Sequence, residues 1–175
     1  MNEIKRILLI GGPGTGKTTL IQAIEESGHI IHPEISRQVT AQARERGIDQ
    51  LFLVEPFAFS DALLEGRIQQ FQQAQKGINF YDRGIPDVPA YHVYKDEEIP
   101  QRYEQACEDY RYDKVFFLPP WKDIYQTDEE RYETYEQAVT IAQILTTYYN
   151  NLNYELIEVP HLPVDQRLKY LLERI

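Results

Sequence analysis

The chain has 175 residues, with 18 Lys and Arg against 28 Asp and Glu, giving a formal net charge of −10. This length predicts one domain that spans residues 1–175. The excess of acidic residues argues against nucleic acid or an anionic membrane surface as a partner. The longest apolar runs, Ile7–Ile10, Leu51–Val54 and Val115–Leu118, are too short for a transmembrane helix of about 20 residues. The single cysteine, Cys107, cannot form an internal disulfide, so we expect a cytoplasmic protein.

Short apolar segments alternate with longer segments of helical spacing along the chain. Five short segments have the length and composition of strands: Arg6–Ile10, His29–His32, Ile78–Tyr81, Lys114–Leu118 and Tyr154–Val159. Helical spacing of apolar residues fills the regions between and after them, at Leu20–Ile24, Ile35–Ala43, Phe57–Phe71, Tyr135–Tyr149 and Val164–Ile175. This alternation predicts an α/β fold in which a parallel sheet lies between two layers of helices.

Prolines interrupt this pattern in two places. Pro86, Pro89 and Pro100 lie within Gly84–Gln101, so a helix there must begin after a proline or be broken by one. Pro119-Pro120-Trp121 ends the fourth strand, and a polar segment follows it. We expect a small lid at about residues 120–132, before the long helix.

A phosphate-binding motif follows the first predicted strand. Its eight residues are Gly11-Gly12-Pro13-Gly14-Thr15-Gly16-Lys17-Thr18, and a helix is predicted directly after them. The glycines let successive backbone N–H groups turn toward an anion, and the helix directs its positive end at the same place. Lys17 supplies charge for the β- and γ-phosphates, and the Thr18 hydroxyl is a ligand for Mg²⁺. We assign these eight residues and Thr19 to nucleotide binding.

The end of the third strand helps to separate the classes of phosphate-loop protein. Asp82 lies where a carboxylate that holds Mg²⁺ is expected, and it is followed by Arg83 and not by the water-activating Glu of mechanical ATPases. No Asn/Thr-Lys-x-Asp string for guanine recognition occurs. An arginine at this position suits phosphoryl transfer, because its guanidinium can hold an acceptor or the transferred group. A surface turn capped by Asp82 is the structural alternative.

Three groups of residues together resemble a known family. They are Gly11–Thr18, the segment Pro33-Glu34-x-x-Arg37, and Tyr81-Asp82-Arg83-Gly84-x-Pro86-Asp87 followed by Tyr91. The chain is similar to the AAA-type P-loop proteins that include the nicotinamide-riboside kinase domain of bacterial NAD-salvage proteins. More broadly, it resembles nucleoside and nucleotide kinases of thymidylate-kinase-like layout.

This resemblance implies a P-loop NTPase fold of three layers, α/β/α, with a five-stranded parallel sheet in the order 2-3-1-4-5. The ligand would lie across the carboxyl ends of the strands, as is general for doubly wound sheets. Glu34, Asp82 and the phosphate loop would then meet at one edge. The resemblance also implies a substrate-binding role for Asp87.

Glu34 and Arg37 are spaced i, i+3, which would place them on one face of the second helix near its start. The functional interpretation is that Glu34 accepts a hydrogen bond or a proton from the acceptor hydroxyl, with Arg37 and Arg83 as supporting cations. The structural alternative is a helix-end carboxylate with an intrahelical ion pair, which contributes only tenths of a kcal/mol.

Two further candidates, Arg131 and His161, lie later in the chain. Arg131 is the only Lys or Arg between Asp123 and Gln166, and it could move onto the phosphates as a lid closes; an ion pair with Asp128 is the alternative. His161 lies in the last strand–helix loop, where similar kinases place backbone against adenine. The four histidines and one cysteine do not have the spacing of a zinc site.

The sequence as a whole predicts an ATP- and Mg²⁺-dependent kinase that phosphorylates a small molecule, most simply a nucleoside, a nucleotide or a related metabolite. The alternative is a regulatory P-loop ATPase that acts on a partner protein, and a nucleotide-binding module without turnover also stays open. We expect no nucleic-acid or membrane partner, and self-association as a homodimer stays open.

Overall fold

The computed structural model describes residues 3–48, 51–125 and 133–175, and in them five strands form one parallel sheet. The strands are β1 (Ile4–Ile10), β2 (Ile30–His32), β3 (Gly77–Asp82), β4 (Lys114–Phe117) and β5 (Leu156–Glu158). Their spatial order is β2-β3-β1-β4-β5, and every neighbouring pair is parallel. All five predicted strands and the predicted order 2-3-1-4-5 are confirmed.

Helices cover both faces of this sheet. Their bounds are α1 (Lys17–Glu26), α2 (Ser36–Glu45), α3 (Leu51–Val54), α4 (Pro56–Gln72), α5 (Asp87–Tyr94), α6 (Gln101–Asp109), α7 (Tyr135–Asn151) and α8 (Val164–Leu172). Helix α5 begins after Pro86 and α6 after Pro100, as the proline positions required. None of the helices in the described residues is both long and apolar enough to cross a membrane.

Strand β1 is the centre of the core because both of its faces are buried. Leu8 and Ile10 point to the side where α7 packs, and Ile7 and Leu9 point to the side covered by α1 and α8. This alternation is the period-2 geometry of a strand, and a strand buried on both faces is apolar throughout. The sheet therefore has the three-layer arrangement that the alternating pattern predicts.

Asn79 is a buried amide in β3, where the rest of the strand is mostly apolar. Its side chain accepts from the Gln75 N–H at 3.0 Å, donates to the Gln75 carbonyl oxygen at 2.7 Å, and lies 3.2 Å from His32 Nε2. The His32 ring in turn stacks on Tyr81, with ring centres 4.3 Å apart. These contacts satisfy the amide and attach β2 to the turn that precedes β3.

Candidate active site

The loop between β1 and α1 has the backbone geometry of an anion cradle. Gly14 and Gly16 have φ angles of 72° and 74°, in the left-handed region that strains any residue with a Cβ. The Thr15 hydroxyl donates to the Gly12 carbonyl oxygen at 3.2 Å and closes the turn. Because the loop leads directly into the N-terminus of α1, its N–H groups and the helix dipole act on the same point. The loop fits a polyphosphate.

The first turn of α1 carries the side chains that the sequence assigns to phosphate and metal. Lys17 is buried, whereas Thr18 and Thr19 are exposed. Lys17 Nζ forms an ion pair with Oδ1 of Asp82, the last residue of β3. These residues meet because β1 and β3 are neighbours in the sheet, with Leu9 opposite Asp82. The strand order thus places the phosphate loop and the Asp82 carboxylate side by side.

The oxygen donors of Thr18 and Asp82 are of the kind that Mg²⁺ prefers. No cluster of three or more His, Cys, Asp or Glu that could hold a metal by itself occurs within residues 3–48, 51–125 and 133–175. Mg²⁺ at nucleotide sites usually takes one or two protein ligands and completes its shell with phosphate oxygens and water. The donor set therefore fits a Mg²⁺ ion that is bound together with a nucleotide.

Glu34 is held in a second cluster, just after β2. Its Oε2 lies 2.5 Å from Arg83 Nε, and its Oε1 lies 3.3 Å from Arg67 Nη2. The Ser36 N–H donates to the same Oε1 at 3.2 Å. Arg67 also donates from Nη1 to the Gly84 carbonyl oxygen at 2.9 Å. Two arginines, from α4 and from the end of β3, therefore fix one carboxylate at the same edge of the sheet.

These neighbours determine the charge of Glu34. Burial alone raises the pKa of this carboxyl, but the charges of Arg83, Arg67 and Lys17 and the Ser36 N–H outweigh it and lower the pKa to about 2. The group is therefore ionised at neutral pH. A carboxylate of such low pKa is a weak general base. It can orient a hydroxyl through a hydrogen bond and take the proton late in a reaction.

Arg83 has a backbone conformation that is unusual for a residue with a side chain. Its φ angle is 69°, in a region that costs a non-glycine residue about 1–3 kcal/mol. Its N–H donates to the Leu9 carbonyl oxygen at 3.1 Å, and its Nη1 donates to the Tyr91 hydroxyl at 2.9 Å. The strained turn is held in place at both ends, and it brings the guanidinium to Glu34.

Asp87 supports Arg83 from the start of α5. Its Oδ2 accepts from the Tyr149 hydroxyl at 2.6 Å and from the Gly84 N–H at 3.0 Å, and its Oδ1 lies 3.7 Å from Arg83 Nη1. Only 1% of Asp87 is exposed. This burial favours a role in holding Arg83 over direct contact with a substrate.

The predicted arrangement of Glu34 and Arg37 differs from the structure. Helix α2 begins at Ser36, so Glu34 precedes the helix and the two residues do not share a helix face. The sequence spacing missed this because the turn after β2 continues through Pro33 and Glu34 before the helix starts. Arg37 lies exposed in the first turn of α2, and its part in acceptor binding stays a prediction.

The predicted lid segment, about residues 120–132, is described only up to residue 125, and Arg131 and Asp128 lie outside the described residues. The described part contains a 3₁₀ turn at Lys122–Ile124. The Tyr125 ring lies against the phosphate loop, since a Cβ on Gly14 would clash with that ring. Trp121 stacks on His161 with ring centres 4.8 Å apart and planes at 6°. His161 therefore lies beside the first part of the predicted lid segment, at the phosphate-loop end of the molecule.

Sequence reasoning missed two residues of the cluster around Glu34. Arg67 lies three residues after Leu64 and four before Phe71, within the apolar stripe of α4. A charged residue at such a core-facing position was the available signal. Tyr149 ends the apolar stripe predicted for Tyr135–Tyr149, and nothing in its local spacing indicates that its hydroxyl bonds to Asp87.

A protein-family model matches most of the chain. The family model described as an AAA domain matches residues 6–167, from β1 into α8. The chain belongs to the AAA domain family. No curated protein is close enough to this AAA domain in sequence to count as a match.

Solved structures with the same fold include two kinds of enzyme. A deoxyadenosine kinase from M. mycoides, solved with dCMP and dCDP, has a TM-score of 0.69 and 17% identity, over 97% of each chain. The same enzyme with dATP has a TM-score of 0.64 and 16% identity, over 97% of this chain and 98% of that chain. A thymidylate kinase from Candida albicans has a TM-score of 0.69 and 18% identity, over 98% of this chain and 90% of that chain. At these identities the likeness establishes the fold of this AAA domain.

Proposed function

We propose that this protein transfers the γ-phosphoryl group of ATP, bound with Mg²⁺, to a hydroxyl or phosphate oxygen of a nucleoside, a nucleotide or a related metabolite. The observation that carries the proposal is the clamped carboxylate of Glu34 at the same sheet edge as the Lys17–Asp82 pair. The likeness to a deoxyadenosine kinase and a thymidylate kinase supports a nucleoside-type or nucleotide-type acceptor.

The phosphate side of the reaction would need little covalent chemistry from the protein. The loop N–H groups cradle the phosphates, and Lys17 exchanges the Asp82 carboxylate for phosphate oxygens, which leaves Asp82 and Thr18 to hold the metal. Mg²⁺, when bound, neutralises charge on the β- and γ-phosphates. Positioning and charge stabilisation would then supply most of the rate enhancement.

The acceptor side would depend on Glu34 and its two arginines. The ionised carboxylate accepts a hydrogen bond from the acceptor hydroxyl and directs its oxygen at the γ-phosphorus. As the new P–O bond forms and the bond to ADP breaks, the hydroxyl proton passes to Glu34 and then to solvent. Arg83 holds the carboxylate, and its guanidinium would stabilise the charge of the transferred group.

The regulatory ATPase is the competing function, and one feature argues against it. A hydrolytic ATPase of this family type places a water-activating Glu directly after the metal-binding Asp, and here Arg83 occupies that position and pairs with Glu34. ATP alone should therefore turn over slowly. The competing function predicts instead that a partner protein stimulates the release of free phosphate.

A two-stage experiment tests the proposal. Thermal shift with MgATP, MgGTP and a non-hydrolysable ATP analogue, with EDTA as control, first establishes triphosphate and metal binding; a ligand at 100 times its Kd adds about 2.7 kcal/mol of stability. The analogue is then combined with individual nucleosides, nucleotides and sugars. A second shift that depends on the analogue identifies the acceptor class, and the absence of any shift with a triphosphate contradicts the proposal.

A further inference from the structure

Arg167, on α8, is a buried cation directly behind the phosphate loop. It is 4% exposed, and its Nη2 donates to the Thr15 carbonyl oxygen at 3.2 Å. Its guanidinium carbon lies 5.8 Å from the centre of the Trp121 ring. Across the described ranges no carboxylate pairs with Arg167, and its Nε is buried without a hydrogen-bond partner.

A buried charge without a counter-ion is unfavourable. Burial correspondingly lowers the pKa of the Arg167 guanidinium. The other buried or half-buried arginines near the site, Arg67 and Arg83, each have a carboxylate within ion-pair distance. Arg167 thus differs from them in carrying a charge that the described part of the protein leaves uncompensated.

The contact with Thr15 also fixes the orientation of one peptide group. In a trans peptide the C=O and the following N–H point in opposite directions. Since Arg167 binds the Thr15 carbonyl on the α8 side of the loop, the Gly16 N–H points to the other side, where the anion cradle lies. A Cβ on Gly16 would be 2.8 Å from Arg167 Nη1, so the guanidinium is packed tightly against this peptide.

We propose that Arg167 is a positioning residue for the bound triphosphate. It orients the Gly16 N–H toward the phosphates, and the phosphates supply the counter-charge that the guanidinium lacks in the free protein. The proposal rests on the proposed function, because it requires a nucleotide in the phosphate loop. It predicts that phosphate binding, and not merely folding, depends on the charge of this one side chain on the last helix.

Three substitutions separate charge from hydrogen bonding. Arg167→Lys keeps the charge, Arg167→Gln keeps an N–H donor without charge, and Arg167→Met keeps neither. Lys169→Met is the matched control, because it removes a cation whose side chain is 77% exposed on the same helix. Calorimetry with MgATP and with magnesium tripolyphosphate gives the affinities, and thermal unfolding without ligand gives the stability of each variant.

We expect Arg167→Met to weaken binding of both ligands about 10- to 100-fold, the range of a hydrogen bond to a charged group. Arg167→Lys should recover more of this loss than Arg167→Gln, and Lys169→Met should bind as the wild type does. The ligand-free unfolding temperature of Arg167→Met should change little, since an unfavourable charge and a favourable hydrogen bond are lost together.

Wild-type affinity in Arg167→Met, with a lowered unfolding temperature, would overturn the proposal and make Arg167 a structural link between α8 and the loop. If Arg167→Met does not fold, wild-type affinity in both Arg167→Lys and Arg167→Gln would likewise overturn the proposal. Failure of the wild type itself to bind either ligand would instead overturn the nucleotide-binding function, and the role of Arg167 with it.

Discussion

Arg83 Nε lies 2.5 Å from Glu34 Oε2, and the two residues follow neighbouring strands of the sheet. Arg83 reaches this position through a left-handed backbone conformation with a φ angle of 69°. A strained residue persists only where its surroundings hold it, and such residues concentrate at functional sites. The Glu34–Arg83 contact is therefore the feature on which the proposed acceptor side of the site depends.

Glu34→Gln should lower kcat by about 10²–10⁴-fold, because the amide cannot take the proton of the acceptor hydroxyl. The affinity for MgATP should stay near that of the wild type, since the proposal places Glu34 on the acceptor side. Steady-state kinetics together with calorimetry measure both quantities. Glu45→Gln is the control, because Glu45 is an exposed carboxylate at the C-terminal end of helix α2. Full activity in Glu34→Gln would remove Glu34 from the mechanism.

The lowered pKa of Glu34 also predicts how stability depends on pH. A carboxyl whose pKa falls from 4.5 in the unfolded chain to about 2 in the folded protein contributes about 3 kcal/mol above pH 4.5. This contribution disappears as the pH falls toward 2. In urea unfolding, the difference in stability between the wild type and Glu34→Gln should be largest at pH 7, should shrink below pH 4.5 and should approach zero only near pH 2. A constant difference from pH 7 to pH 3 contradicts the ion-pair assignment.

Replacing Lys17 in the phosphate loop tests stability as well as activity, because Lys17 forms a buried ion pair with Asp82. Lys17→Met leaves the Asp82 carboxylate buried without its cation, and breaking a buried pair from one side costs about 3–5 kcal/mol. The double variant Lys17→Met/Asp82→Asn should regain most of this free energy of unfolding. Triphosphate binding should be lost in both. Denaturation and calorimetry separate the two effects, and equal stability of Lys17→Met and wild type would show that solvent screens the pair.

Tyr149→Phe removes the hydroxyl that donates to the buried Asp87 carboxylate at 2.6 Å. The buried carboxylate oxygen then keeps only the Gly84 N–H as a donor, and the loss of one hydrogen bond to a buried charged group costs about 1–3 kcal/mol. Activity should fall as well, because Asp87 supports Arg83. Tyr148→Phe is the matched control, on the same helix and half-buried. Chemical denaturation and kcat are the measurements, and equal effects of the two substitutions would mean that the Asp87 contact is unimportant.

Local patterns were sufficient to predict the five strands and helices α1, α2, α4, α7 and α8. The predicted strand boundaries differ slightly from the observed ones. The second strand is predicted at His29–His32, for example, and β2 spans Ile30–His32. Helices α5 and α6 were hidden by prolines in the sequence. Pro89 is tolerated because it lies in the first turn of α5, where a missing N–H breaks no helical hydrogen bond.

In the site, too, the residues in local motifs could be predicted from the sequence, and those that depend on long-range packing could not. The phosphate loop is one contiguous motif, and the position of Asp82 follows from its place at the end of a strand. The contacts of Arg67 with Glu34 and of Arg167 with Thr15 depend on how α4 and α8 pack against the sheet. No spacing along the chain encodes those distances, so the residues that hold the site emerged only with the structure.

The measurement that tests the account most directly is the stoichiometry of phosphoryl transfer from γ-labelled MgATP. The acceptor panel would contain deoxyadenosine, thymidine, dTMP, ribonucleosides including nicotinamide riboside, and sugars. We predict one labelled acceptor molecule for each ADP formed with at least one of these compounds, and the loss of that product in Glu34→Gln. Release of free labelled phosphate in equal amount to ADP, with no labelled small molecule, would contradict the account and favour the regulatory ATPase.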